Sequence, residues 1–112
     1  MKELIGWNDF EKIDFRCGTI TAVELFPEAN KPAYKLSIDF GEKIGLKRAS
    51  AQITDRYAVN DLVGKQVLAI VNFPPKQIGP FMSECLVCGF YTPNGIVLVE
   101  PKLHTPNGSS LG

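Results

Sequence analysis

At 112 residues, 45% of them hydrophobic, the chain has material for one core and not two, because a domain usually takes roughly 100 residues or more. Twelve basic residues balance twelve acidic ones, which excludes a polycation that grips nucleic acid through bulk charge. No apolar run approaches the length of about 20 residues that spans a bilayer, the stretch Met1–Asp9 lacks the apolar core of a secretion signal, and an odd count of three cysteines suits a reducing compartment better than a disulfide scaffold. A single domain over residues 1–112, cytoplasmic and without membrane insertion, is expected.

Asn8 and Glu11 have the spacing of a capping box and predict a short helix ahead of Ile13. Phe15 to Leu25 is a β-rich run broken by Gly18, which suggests a bend or bulge there. After the turn-like Pro27–Pro32 segment, Tyr34, Leu36, Ile38 and Phe40 alternate with Lys35, Ser37 and Asp39, the pattern of a half-buried strand. Gly41 to Gly45 predicts a turn and Leu46 to Ile53 a third strand. Thr54 to Val63 has neither proline nor glycine and predicts a short helix closed by Gly64. A fourth strand is expected from Lys65 to Phe73 and a fifth from Ser83 to Tyr91. Thr92-Pro93-Asn94-Gly95 then turns the chain into a last strand, Ile96 to Glu100, ended by Pro101.

A helix between the third and fourth of five strands is the arrangement of an OB-type barrel. The predicted fold class is therefore all-β with short helices: an OB-fold five-stranded barrel with an N-terminal helix and an extra C-terminal strand.

The segment between the fourth and fifth strands is unusual for a connection. Pro74 and Pro75 fix φ and remove two N–H donors, yet Ile78, Phe81 and Met82 follow where polar residues would serve a mere linker. Phe73, Pro74, Pro75, Lys76, Gln77, Ile78, Phe81 and Met82 are the candidate apolar binding loop, with plugging of the barrel end or a dimer seam as the alternative for its apolar members. Charge is also uneven. Between Ala29 and Ser83 stand eight basic and four acidic residues, so a local basic face is compatible with the neutral total. Leu4, Ile5, Trp7, Phe10 and Ile13, with Leu103 and Leu111, are too apolar for the ends of a small monomer and are expected to build a two-fold interface.

Cys85-Leu86-Val87-Cys88 is a CxxC placed inside an apolar strand, where residues three apart point to opposite faces and cannot grip one metal. Even with Cys17 and His104 no second knuckle completes a zinc site. No nucleophile paired with a base, phosphate loop or carboxylate pair is present in a recognisable setting, so no catalytic residue, metal or cofactor is assigned.

The stretch from Asp9 to Ile20 resembles the opening of the structure-specific tRNA-binding domain family, an OB-fold module also found at the end of some methionyl-tRNA synthetases. Phe26-Pro27-Glu28-Ala29, Ala33 to Gly41, Ser50 to Thr54 and Val71 to Ile78 are similar to the CsaA-like secretion-chaperone branch of that family. The resemblance implies a homodimer of OB folds that serves exported preproteins on a tRNA-binding fold, with unfolded or preprotein polypeptides, the export machinery and tRNA as the implied partners. The family's Asn-Ala-Asp-Lys motif corresponds to Glu28-Ala29-Asn30-Lys31, which keeps the lysine; its Ser-x-x-Met corresponds to Ser83-Glu84-Cys85-Leu86, which keeps the serine and loses the methionine. Lys31, Lys76, Ser83 and Leu86 are thus the positions to which an RNA role carries over, with lysines supplying affinity for phosphate without base specificity. Lys31 is expected to lie away from the apolar loop. Two function classes stand open, a holder of unfolded polypeptides and a tRNA-binding module in trans to translation, with a purely structural dimerisation domain as a third.

Overall fold

Alternation decides the centre of the molecule. Tyr34, Leu36 and Ile38 are buried while the residues between them are half-exposed, which makes β2 (Tyr34–Asp39) a strand with one face in the core. The computed structural model describes all residues from Met1 to Gly112. Around β2 the chain forms α1 (Trp7–Glu11), β1 (Phe15–Leu25), β3 (Leu46–Ala51), α2 (Val59–Leu62), β4 (Gln66–Ile70), β5 (Lys76–Ile78), β6 (Phe81–Ser83), β7 (Leu86–Val87), β8 (Gly89–Thr92) and β9 (Gly95–Leu98).

Five strands form one antiparallel sheet in the order β3-β2-β1-β4-β7. The sheet curls so that its edges meet: Glu84 N–H donates to the Arg48 carbonyl at 2.7 Å, and Arg48 N–H donates to Glu84 Oε1 at 2.9 Å. The result is a nearly closed five-stranded OB-type barrel, filled by Ile20, Leu36, Ile38, Phe40, Leu62 and Val67, all essentially without solvent exposure. Leu62 comes from α2, the short helix between the third and fourth strands. No helix is long and apolar enough to cross a membrane.

Several boundaries differ from the sequence expectation. The first helix is capped by Gly6, whose N–H donates to Asp9 Oδ2 at 3.0 Å, and not by Asn8 and Glu11. The bulge in β1 falls at Thr21, between the pairs Ile20–Ile38 and Ala22–Ser37. Gly18 has another purpose. A Cβ there would come within 2.6 Å of Ile38 Cγ2 and 2.7 Å of the Phe40 ring, so glycine lets β1 lie against the core. The second helix is shorter than Thr54–Val63, because Asp61 accepts the Ala58 N–H at 2.9 Å and starts it late. β4 stops at Ile70 because Asn72 is occupied elsewhere, accepting from Asp14 N–H at 2.9 Å and donating to the Lys12 carbonyl at 2.7 Å.

The largest departures concern the proline segment and the fifth strand. Pro74 to Ser83 is not a loop throughout: β5 and β6 form a two-stranded hairpin around Gly79-Pro80. Gly79 has φ +55, a left-handed value that a following proline complements in a type II′ turn. The expected fifth strand is divided among β6, β7 and β8. Val99 causes the last break: Leu68 N–H donates to its carbonyl at 3.0 Å and its own N–H donates to the Cys88 carbonyl at 3.2 Å, so the chain leaves β4 and continues as the separate β8–β9 arm.

Candidate groove between the third strand and the proline hairpin

Phe81 anchors the hairpin to the barrel's outer surface. It is 4% exposed and packs in a small cluster with Phe26 and Ala33, its ring 5.3 Å from that of Phe26 in an edge-to-face arrangement. Two cations cover this pair. Arg48 lies 4.6 Å above the Phe81 ring, and Lys35 Nζ lies 4.9 Å from the Phe26 ring. Phe81 is therefore removed from the surface residues of the expected binding loop, because the hairpin turns its side chain inward. Ile78 is half-buried on the same cluster, whereas Phe73, Pro74, Pro75, Lys76, Gln77 and Met82 are exposed.

With the hairpin fixed, a surface groove runs between it and the end of β3. One part, of about 480 Å³, is walled by Ile53, Ile78, Leu86, Val87, Tyr91 and Ile96 among others. A second part, of about 350 Å³, is lined by Phe73, Pro74, Lys76, Ser83, Cys85 and Leu86. A third, of about 410 Å³, holds Lys31 and Lys76 together with Ser50, Gln52, Gln77 and Ile78. Lys31 thus lies beside the hairpin and not away from it, since the loop after β1 folds back over Gly79, whose position faces Glu28.

The remaining RNA positions separate by environment. Ser83 accepts the Ser50 N–H at 3.1 Å, which commits its hydroxyl to closing the barrel. Leu86 is 49% exposed and continues the apolar wall beside Phe73. Sequence reasoning missed Tyr91, 93% exposed on the β8–β9 arm, and the Ile53 and Val87 walls. The signal for Tyr91 was an aromatic residue directly before a turn, in a hairpin with a solvent-facing side.

The cysteines stay out of this chemistry. Cys85 is buried and its thiol is pushed up to about 12 by that burial, with Lys47 pulling slightly the other way. Burial likewise raises Cys88. Cys85 is buried and Cys88 half-buried, and no group of three His, Cys, Asp or Glu side chains is arranged to hold a metal.

A second surface groove includes the N-terminal helix and the chain's last residues. Trp7, Phe10, Ile13 and Leu111 border this open groove of about 520 Å³, with the Trp7 and Phe10 rings 5.2 Å apart. The tail is tied there by Leu111 N–H to the Phe15 carbonyl at 3.1 Å. Leu4, Ile5 and Leu103 are exposed but do not border that groove.

The model of the putative tRNA binding domain matches residues 15–110. The chain belongs to the tRNA-binding domain family. Within it, the tRNA-binding domain described here is similar to the chaperone CsaA of Bacillus anthracis, at 45% identity and a TM-score of 0.92 over 98% of this chain and 100% of that one. It is also similar to the CsaA chaperone protein of Picrophilus torridus, at 50% identity and a TM-score of 0.93 over 97% and 100% of the two chains. The methionine–tRNA ligase of Flavobacterium psychrophilum is 34% identical over 103 residues, 91% of this tRNA-binding domain but only 15% of the ligase. The matched family is a tRNA-binding domain.

Proposed function

We propose that this chain, one OB-type domain over residues 1–112, is a cytoplasmic, non-catalytic chaperone-like protein that holds unfolded or export-bound polypeptides in the groove beside the proline hairpin. The observation that carries this reading is the exposed apolar pair Phe73 and Leu86, 51% and 49% accessible, lining one part of the groove together with Lys76. Exposed apolar surface of this kind marks a binding site. The similarity to CsaA chaperones over nearly the whole of both chains supports the same reading.

The protein acts as a homodimer whose two-fold seam covers Trp7, Phe10, Ile13 and Leu111, with Leu4, Ile5 and Leu103 at its margin, and it passes preproteins toward the export machinery. Sedimentation at micromolar concentration should give a dimer that Phe10→Asp weakens; a monomeric parent chain would remove the seam.

A second reading, tRNA binding, is favoured by Lys31 and Lys76 in one groove and by the family itself. Fluorescence anisotropy with a reduced, carboxymethylated polypeptide and with tRNA separates the two. Apolar burial tolerates salt, and Phe73→Ser should weaken polypeptide binding about fivefold with an unchanged melt. Phosphate contacts do not tolerate salt: each of Lys31→Ala and Lys76→Ala should reduce the tRNA salt slope by about one. Binding of tRNA alone would overturn the chaperone reading.

A further inference from the structure

Two residues that line the groove, Gln52 and Gln77, carry backbone groups outside the chain's own ladders. In the hairpin, Ile78 lies opposite Phe81 across the turn and Lys76 lies opposite Ser83. Hydrogen-bonded and non-bonded pairs alternate in an antiparallel ladder, so the N–H and C=O of the intervening Gln77 are directed away from β6. On the third strand, Arg48 and Ser50 direct their N–H groups to Glu84 Oε1 and Ser83 Oγ, at 2.9 and 3.1 Å. Gln52 follows the end of β3 at Ala51, is exposed, and takes part in none of the backbone hydrogen bonds outside the helices and strands. Gln52 and Gln77 line one groove with Lys31 and Lys76.

Exposed strand edges are normally blunted by brevity, proline and lysine. Here β5 has three residues, follows Pro74 and Pro75, and begins with Lys76. Those devices stop another folded sheet from docking along the edge, yet Gln77 remains open to a single chain.

We propose that the groove receives an extended polypeptide segment as an added β-strand along Gln77 of β5, with an acidic side chain of the segment set between Lys31 and Lys76. The proposal rests on the polypeptide-binding reading above and specifies its mode. An unpaired edge offers donors and acceptors in alternation, which another peptide backbone matches. A phosphate contact supplies acceptors only and meets the Gln77 N–H without its carbonyl, whereas a peptide backbone meets both at the spacing of a strand. Backbone pairing also accounts for low selectivity among clients: every residue but proline supplies the same groups, and Ile78 and Leu86 add apolar area beside them.

The test uses the intact chain and a fluorescein-labelled peptide of alternating Val and Thr with one central Glu. Two N-methylated versions remove amide protons in one alternation phase or in the other. Strand addition predicts that one phase weakens binding at least about tenfold and the other leaves it unchanged. It also predicts that Gln77→Pro, which removes an N–H used by no partner within the chain, abolishes binding while Gln77→Ala keeps it. Should Gln77→Pro fail to fold in a thermal melt, the N-methylated pair still decides. A parent peptide that binds with both phases equal overturns strand addition and leaves the chaperone reading standing. A parent peptide that does not bind, while tRNA does, overturns both.

Discussion

Phe81→Ala tests whether the proline hairpin is held by one buried ring. Burying a phenyl side chain is worth about 1.5–3 kcal/mol. The edge-to-face pair with Phe26 at 5.3 Å adds about 0.5–1.5 kcal/mol, and Arg48 at 4.6 Å from the ring centroid about 0.5–1 kcal/mol at a partly exposed site. These terms agree with the usual cost of about 3–5 kcal/mol for truncating a buried phenylalanine. The hairpin is joined to β3 through Ser83 and Glu84, so most of that loss reaches the barrel. At about 4 °C per kcal/mol for a domain of this size, the melt should fall by about 12 °C. Phe81→Leu retains most of the apolar burial and loses the ring terms, so its melt should lie between the two. Thermal melts together with hydrogen exchange at position 81 and at Ser83 measure both the global and the local effect. An Ala variant that melts with the parent and keeps the hairpin amides protected would refute the anchor. Loss of polypeptide binding in Phe81→Ala would then report an undocked groove wall, not a lost contact.

Gly18→Ala should destabilise by about 1–3 kcal/mol in urea, because its methyl would lie 2.6 Å from Ile38 Cγ2 and 2.7 Å from the Phe40 ring in a filled core; an unaltered midpoint would show that the core yields freely. Burial raises Cys85 from 9.0 to about 12, so the folded chain keeps a proton that the unfolded chain releases. The stability tied to that proton is intact below pH 9.0 and is lost as pH rises toward about 12. Urea titrations at rising pH should therefore show a steeper alkaline decline in the parent than in Cys85→Ala, and parallel declines would refute the assignment.

Much of the barrel was legible because its pattern is local. Tyr34 to Phe40 alternates with period two, and that alone placed one wall of the core. The place of the second helix between strands three and four then pointed to the OB arrangement, which the sheet order bears out. The hairpin was not legible from composition. Phe81 is an apolar residue in a proline-rich segment whether it faces water or Phe26, and only the turn at Gly79, opposite the loop carrying Glu28, decides which. The same fold-back put Lys31 beside Lys76 across 45 residues of sequence, a proximity that no short-range spacing encodes. The division of the fifth strand depends on Val99 bonding to both Leu68 and Cys88, which is likewise long-range. The N-terminal helix was found but its cap was misplaced, since Asp9 reaching back to Gly6 competes with the Asn8–Glu11 spacing.

The cations of the groove bear on how the two readings can coexist. Arg48 is engaged with the Phe81 ring and with Glu24 at 3.5 Å, and Lys35 sits over the Phe26 ring. Lys31 and Lys76 are then the lysines that line the groove beside Gln52. Two phosphate contacts give a salt slope of only about two, far short of the six to ten that make binding to a nucleic-acid duplex collapse by orders of magnitude with salt. The two lysines of one groove alone therefore give a modest salt-dependent grip on tRNA, and a dimer of the kind proposed above would add the second groove's pair. A flexible unfolded polypeptide would meet two such sites at whatever separation a dimer set between them. Its apolar contacts with Phe73 and Leu86 also persist where phosphate contacts are screened. The polypeptide reading thus asks less of this geometry than the tRNA reading does.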